Sequence, residues 1–136
     1  MSAVFADTSF YLALLRGDDP VHFHALAESR AGHSIITTKF VLLELGNTCA
    51  RATDHADFLA LVAGLRASLR ATIVPLDSQL LERGMQLMGE RQDKDWSLTD
   101  CISFVVMKEH GIHDALTTDK HFRQAGFTAL LQQGAD

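Results

Sequence analysis

Short apolar segments alternate with longer helix-patterned stretches along the chain, and this alternation constrains the fold more than any other feature. The segments are Ala3 to Ala6, Ser34 to Thr37, Thr72 to Pro75, Ala115 to Thr118 and Phe127 to Leu131. Short, apolar and partly β-branched, they read as buried strands. Thr8 or Ser9 is placed to cap a helix to about Arg16, closed by Gly17. Asp18-Asp19-Pro20 starts a second helix to about Arg30, with Pro20 in its first turn. Thr38, Asp54 and Asp77 cap helices reaching about Ala52, Arg70 and Arg91. After the polar loop Gln92 to Trp96, Ser97 begins a helix to about His110, stopped by Gly111. Asp119 starts a last short helix ending near Gly126. This order predicts an α/β domain with a mainly parallel central sheet covered on both faces by helices. In such open sheets, ligands bind beyond the carboxyl ends of the strands.

A length of 136 residues fits one domain, expected to span residues 1–136. Hydrophobic residues make up 47% and charged residues 21%, so the composition belongs to an ordinary globular core rather than a disordered chain. The net charge of -5 argues against the basic footprint usual in nucleic-acid binders. Bound metal ions would reverse that argument locally, because their charge dominates a site lined by acids. Cys49 and Cys101 are too few for a disulfide framework and read as reduced, which suits the cytoplasm. The apolar N-terminus lacks a basic leader, and no apolar run is long enough to cross a bilayer.

Four carboxylates stand out against this background. Asp7 and Asp119 each follow an apolar strand and precede a helix, so a parallel sheet would present both at the same edge. Each alone also reads as a helix N-cap. Glu44 sits among apolar neighbours in FVLLELGN, where an acid needs a partner or a cation unless that helix face meets water. Asp100, in SLTDCISF, opens a strongly apolar helix, and Ser97-x-x-Asp100 doubles as a capping box. Acids brought together repel one another, and divalent ions remove that cost. Mg²⁺ and Mn²⁺ favour carboxylate and water oxygens, can activate water and can hold a phosphodiester. Such a set therefore points to phosphoryl-transfer chemistry.

FADTSFYLALL around Asp7, LLELGN around Glu44, SLTDCISF around Asp100 and ALTTDKHFRQAGF around Asp119 occur in this order over nearly the whole chain. Together they resemble the PIN-domain ribonucleases, and within them the VapC-like toxins of type II toxin–antitoxin pairs. The resemblance implies a PIN-like three-layer fold and an endoribonuclease that needs Mg²⁺ or Mn²⁺. Asp7, Glu44, Asp100 and Asp119 would act as catalytic and metal-binding acids, cleaving RNA with a metal-activated water. It also implies a cognate antitoxin in the active-site groove and a homodimer. Thr8, Ser9, Thr117 and Thr118 match positions that support the acids or metal-bound water. Asp95 is an extra acid near the third motif, and reads as a solvated loop charge.

Arg16, Lys39, Lys94, Lys120 and Arg123 are candidates to meet RNA phosphates beyond the metal, or else ordinary helix-surface charges. Trp96 would either stack on a base or plug the core. The seven histidines form no zinc pattern. His121, close to Asp119, reads either as an RNA contact or, in preference, as a surface residue. Two other functions fit less of the chain. A haloacid-dehalogenase-type phosphatase also starts from an Asp at a strand end, but needs a second acid two residues on, where Ser9 stands. A non-catalytic PIN-fold interaction module would use the acids only to bind a partner.

Overall fold

The computed structural model describes residues 3–132, so residues 1, 2 and 133–136 of the expected domain lie outside it. Among the described residues five strands form one sheet: β1 (Ala3–Ala6), β2 (Ser34–Thr38), β3 (Ala71–Val74), β4 (Asp114–Leu116) and β5 (Thr128–Ala129). Their order across the sheet is β3-β2-β1-β4-β5, and every pairing is parallel. Val4, Phe5 and Ala6 are completely buried. Successive strand residues point to opposite faces, so both faces of β1 are covered and the molecule has three layers.

The helices are α1 (Thr8–Leu15), α2 (His22–Ser29), α3 (Lys39–Thr48), α4 (His55–Ala67), α5 (Ser78–Glu90), α6 (Leu98–Glu109) and α7 (Lys120–Gln124). Helix α6 is central: Cys101, Ile102, Phe104, Val106 and Met107 are all buried. Phe104 joins Trp96, Phe122 and Phe127 in an aromatic cluster with centroids 4.9–5.7 Å apart. Trp96 is therefore a core plug, its ring nitrogen donating to Gln124 Oε1. Cys49 and Cys101 are buried free thiols. Among the described residues no helix is long and apolar enough to cross a membrane.

Several helix ends differ from expectation for local reasons. Asp7, not Thr8 or Ser9, occupies the N-cap of α1, yet its carboxylate makes no cap bond. Helix α2 begins at His22, after Pro20, because the Asp19 carboxylate accepts from the Val21 N–H and holds Pro20 in a turn. Helix α3 stops at Thr48, and Arg51 turns extended to enter a 3-10 turn at Ala52–Asp54. That turn gives Asp54 a helical backbone, from which its side chain makes no cap bond to α4. Helix α4 ends at Ala67 because Ser68 is extended. Thr117 and Thr118 lie beyond β4 rather than in it, and β5 spans only Thr128–Ala129.

The topology determines where a ligand fits. From β1 the chain moves outward to β2 and β3, then returns to add β4 and β5 on the other side. The strand order therefore reverses between β1 and β4, and the carboxyl ends of these two strands flank the crevice where open α/β sheets bind ligands.

Candidate active site

Asp7 is the first residue after β1, and its N–H donates to the Leu116 carbonyl at the end of β4. Thr117, Thr118 and Asp119 follow directly on that neighbouring strand. Parallel pairing thus brings together residues more than a hundred positions apart. The Thr117 hydroxyl is fully buried and donates to Asp7 Oδ2 at 2.8 Å. Thr117 Oγ1 also accepts from the Asp119 N–H at 2.9 Å, so Thr117 ties the two acids together. Ser9 Oγ donates to Asp7 Oδ2 at 3.1 Å and accepts from the Thr118 N–H at 3.0 Å. Of Thr118, only the backbone N–H enters this network.

The other two acids arrive from helices. The Ser97–Asp100 capping box is complete: Ser97 Oγ accepts from the Asp100 N–H and Asp100 Oδ2 from the Ser97 N–H. Capping and site membership coexist, because the box holds the Asp100 carboxylate at the mouth of α6. Asp119 likewise caps α7 through the His121 N–H. Glu44, half-buried on α3, accepts a short hydrogen bond from Thr8 Oγ1 on α1.

These groups line one open cleft of about 460 Å³, which contains Asp7, Glu44, Asp100 and Asp119 together with Thr8 and Ser9. Asp95, an exposed loop residue, also lines it, so its charge belongs to the site and not only to solvent. None of Arg16, Lys39, Lys94, Lys120 and Arg123 is in the lining. Lys39 instead borders an apolar groove between α3, α4 and β3.

His121 is the residue that sequence reasoning placed wrongly. It lines the cleft, with Nδ1 3.0 Å from Asp100 Oδ2 and 3.2 Å from Asp119 Oδ1. Its signal was the spacing D-x-H across a helix start, where the cap folds the first turn back towards the capping acid. Ligand atoms of Asp100, Asp119 and His121 all lie within 4.8 Å of one another.

Burial and crowding disfavour charge on Asp7 and Asp100. Asp7, 5% exposed, is pushed up from 3.8 to about 7, chiefly by burial, while the Thr117 hydroxyl and Thr8 N–H pull it back and Asp100 pushes it further. Asp100 is raised by burial first and by the Asp119 charge second. A divalent cation would relieve both penalties, and a lining rich in carboxylate oxygens with no lysine or arginine suits one.

Residues 4–128 match the PIN domain family. The chain belongs to that family. The PIN domain is a nuclease fold, and PIN nucleases are metal-dependent. This PIN domain is 29% identical over 128 residues to the 23S rRNA-specific endonuclease VapC20 of Mycobacterium tuberculosis, covering 93% of the chain and 97% of that protein. The crystal structure of that Mycobacterium tuberculosis protein, described as a sarcin–ricin loop cleaving toxin, is similar in fold. Its TM-score is 0.82 at 28% identity, covering 92% of this chain and 96% of the other. FitAcB from Neisseria gonorrhoeae shares the fold at a TM-score of 0.61 and 17% identity, covering 93% and 95%.

Proposed function

We propose that this protein is a metal-dependent endoribonuclease, the toxin of a toxin–antitoxin pair, working in the cytoplasm with Asp7, Glu44, Asp100 and Asp119 as its catalytic acids. The observation that carries the reading is the convergence of these four side chains, from four separate chain segments, on one cleft at the strand-order reversal. Without a cation a phosphodiester would be repelled there. Asp7, Asp100, Asp119 and Glu44 would hold Mg²⁺ or Mn²⁺ directly or through water. The ion's contribution is to lower the pKa of water and to offset phosphate charge.

The chain's own residues supply the positioning. Thr117 and Ser9 hold the Asp7 carboxylate, the Ser97 box holds Asp100, and Thr8 holds Glu44. We assign to Arg16, Lys39, Lys94, Lys120 and Arg123 the binding of RNA phosphates outside the acid cleft, since the lining itself has no cation. A homodimer and an antitoxin that covers the cleft complete the reading. In support, Leu43, Leu59 and Leu76 are more than half exposed beside the α3–α4–β3 groove of about 650 Å³, a patch suited to protein contact. A haloacid-dehalogenase phosphatase is not favoured, because the position two beyond Asp7 is a serine spent on hydrogen bonding.

The test is cleavage of a panel of structured RNAs, beginning with the sarcin–ricin loop of 23S rRNA, which is the substrate type of the similar toxin. Cleavage is expected with Mn²⁺ or Mg²⁺, to stop with EDTA, and to fall by more than about a hundredfold in Asp100→Asn or Asp119→Asn. Loss of a mere supporting residue at a metal site already costs 10–100-fold. Undiminished cutting by either variant would remove that acid from the site.

A further inference from the structure

The four-acid reading leaves His121 without a role, yet its ring points into the cleft. Its Nδ1 lies 3.0 Å from Asp100 Oδ2 and 3.2 Å from Asp119 Oδ1. Ligand atoms at adjacent corners of an octahedron around an ion, each about 2.1 Å from it, are about 3.0 Å apart. The ring nitrogen therefore already stands at neighbouring-ligand spacing from each of the two carboxylate oxygens, and all three atoms lie within 4.8 Å of one another. The same spacing serves a hydrogen bond when Nδ1 carries a proton, so ion and proton are alternatives for one position. A neutral ring with its proton on Nε2 leaves a lone pair on Nδ1, free to bind an ion.

The ring's position is built in. Asp119 Oδ1 accepts from the His121 N–H, which fixes the first turn of α7 against the capping acid. Phe122, the next residue, is fully buried against Phe5 and Phe104 and anchors that turn to the core. The backbone from which the imidazole projects is therefore fixed on both sides of His121.

The geometry points to His121 as a nitrogen ligand of the ion held by Asp100 and Asp119, biasing the site to Mn²⁺ over Mg²⁺. This inference rests on the metal-dependent reading above. The physical basis is ligand softness: Mg²⁺ favours oxygen donors and keeps its waters, whereas imidazole binds transition ions better. The RNA-cleaving acids would be common to either ion, and the nitrogen would set the preference.

Pulsed EPR of the full chain loaded with one equivalent of Mn²⁺ tests this directly. Imidazole nitrogen coupling to the metal is expected in the parent and absent in His121→Ala. Calorimetry should show Mn²⁺ affinity falling about 10–100-fold in His121→Ala, while Mg²⁺ affinity changes less than about threefold. His121→Gln, which keeps a polar side chain on α7, should lose the same coupling and guards against a folding defect. If Mn²⁺ binds and Asp100→Asn abolishes that binding, but the parent shows no nitrogen coupling, His121 is not a ligand and only this inference fails. If coupling persists in both His121 variants, another histidine supplies it and the inference fails too. If Mn²⁺ does not bind, or binds equally to Asp100→Asn, the underlying metal-site reading falls with it.

Discussion

Replacing Asp7 with Asn should make the metal-free protein more stable at alkaline pH while abolishing its activity. Asp7 titrates near 3.8 in the unfolded chain and near 7 when buried among Thr117, Ser9 and Asp100. Below pH 3.8 both states hold the proton and the folded state suffers no penalty. As pH rises towards 7, the unfolded chain releases its proton while the native state retains it, so stability falls by about 1.4 kcal/mol per pH unit. From pH 5 to pH 8 this one group should remove about 3 kcal/mol. The introduced carboxamide does not titrate. Thr117 and Ser9 can reorient towards it, since a hydroxyl both donates and accepts. Urea denaturation in EDTA at the two pH values measures the effect. The stability of Asp7→Asn relative to the parent should improve by about 3 kcal/mol between pH 5 and pH 8. Adding Mn²⁺ at a hundred times its dissociation constant should raise the parent by about 2.7 kcal/mol and the variant by far less. A relative change below about 1 kcal/mol between the two pH values would show that Asp7 is not desolvated as described. The case for a cation at that carboxylate would then go with it.

Thr117→Val keeps the shape but removes the hydroxyl that donates to Asp7 and accepts from the Asp119 N–H. It should cost about 2–3 kcal/mol in urea denaturation and weaken Mn²⁺ binding in calorimetry by about 10–100-fold. Gly84→Ala would put a Cβ 2.4 Å from Ile102 Cγ1 where α5 meets α6, so despite better helix propensity it should destabilise by about 1–2 kcal/mol. Gly64→Ala on α4 has nothing within 4 Å and should instead stabilise by up to about 1 kcal/mol; the two thermal midpoints should move in opposite directions.

Much of this protein can be read from its residues in order. Strand and helix sequence, the caps at Thr38, Asp77, Ser97 and Asp119, and the α/β class all follow from short-range chemistry that acts within a few residues. So do the four acids that stand out against apolar neighbours and carry the family resemblance. Boundaries shifted where a local competitor intervened, as when the Asp19 carboxylate held Pro20 outside α2. Tertiary structure alone decided how Asp7 and Glu44 are held. Parallel pairing of β1 with β4 placed the Thr117 hydroxyl between Asp7 and Asp119, a contact spanning 110 positions that no local pattern encodes. Packing of α6 beside α7 also set the Asp100 carboxylate against His121, whose neighbours Lys120 and Arg123 are exposed. Burial, which sets the charge state of Asp7, is a property of everything packed around a residue, and so it exists only once the chain has folded.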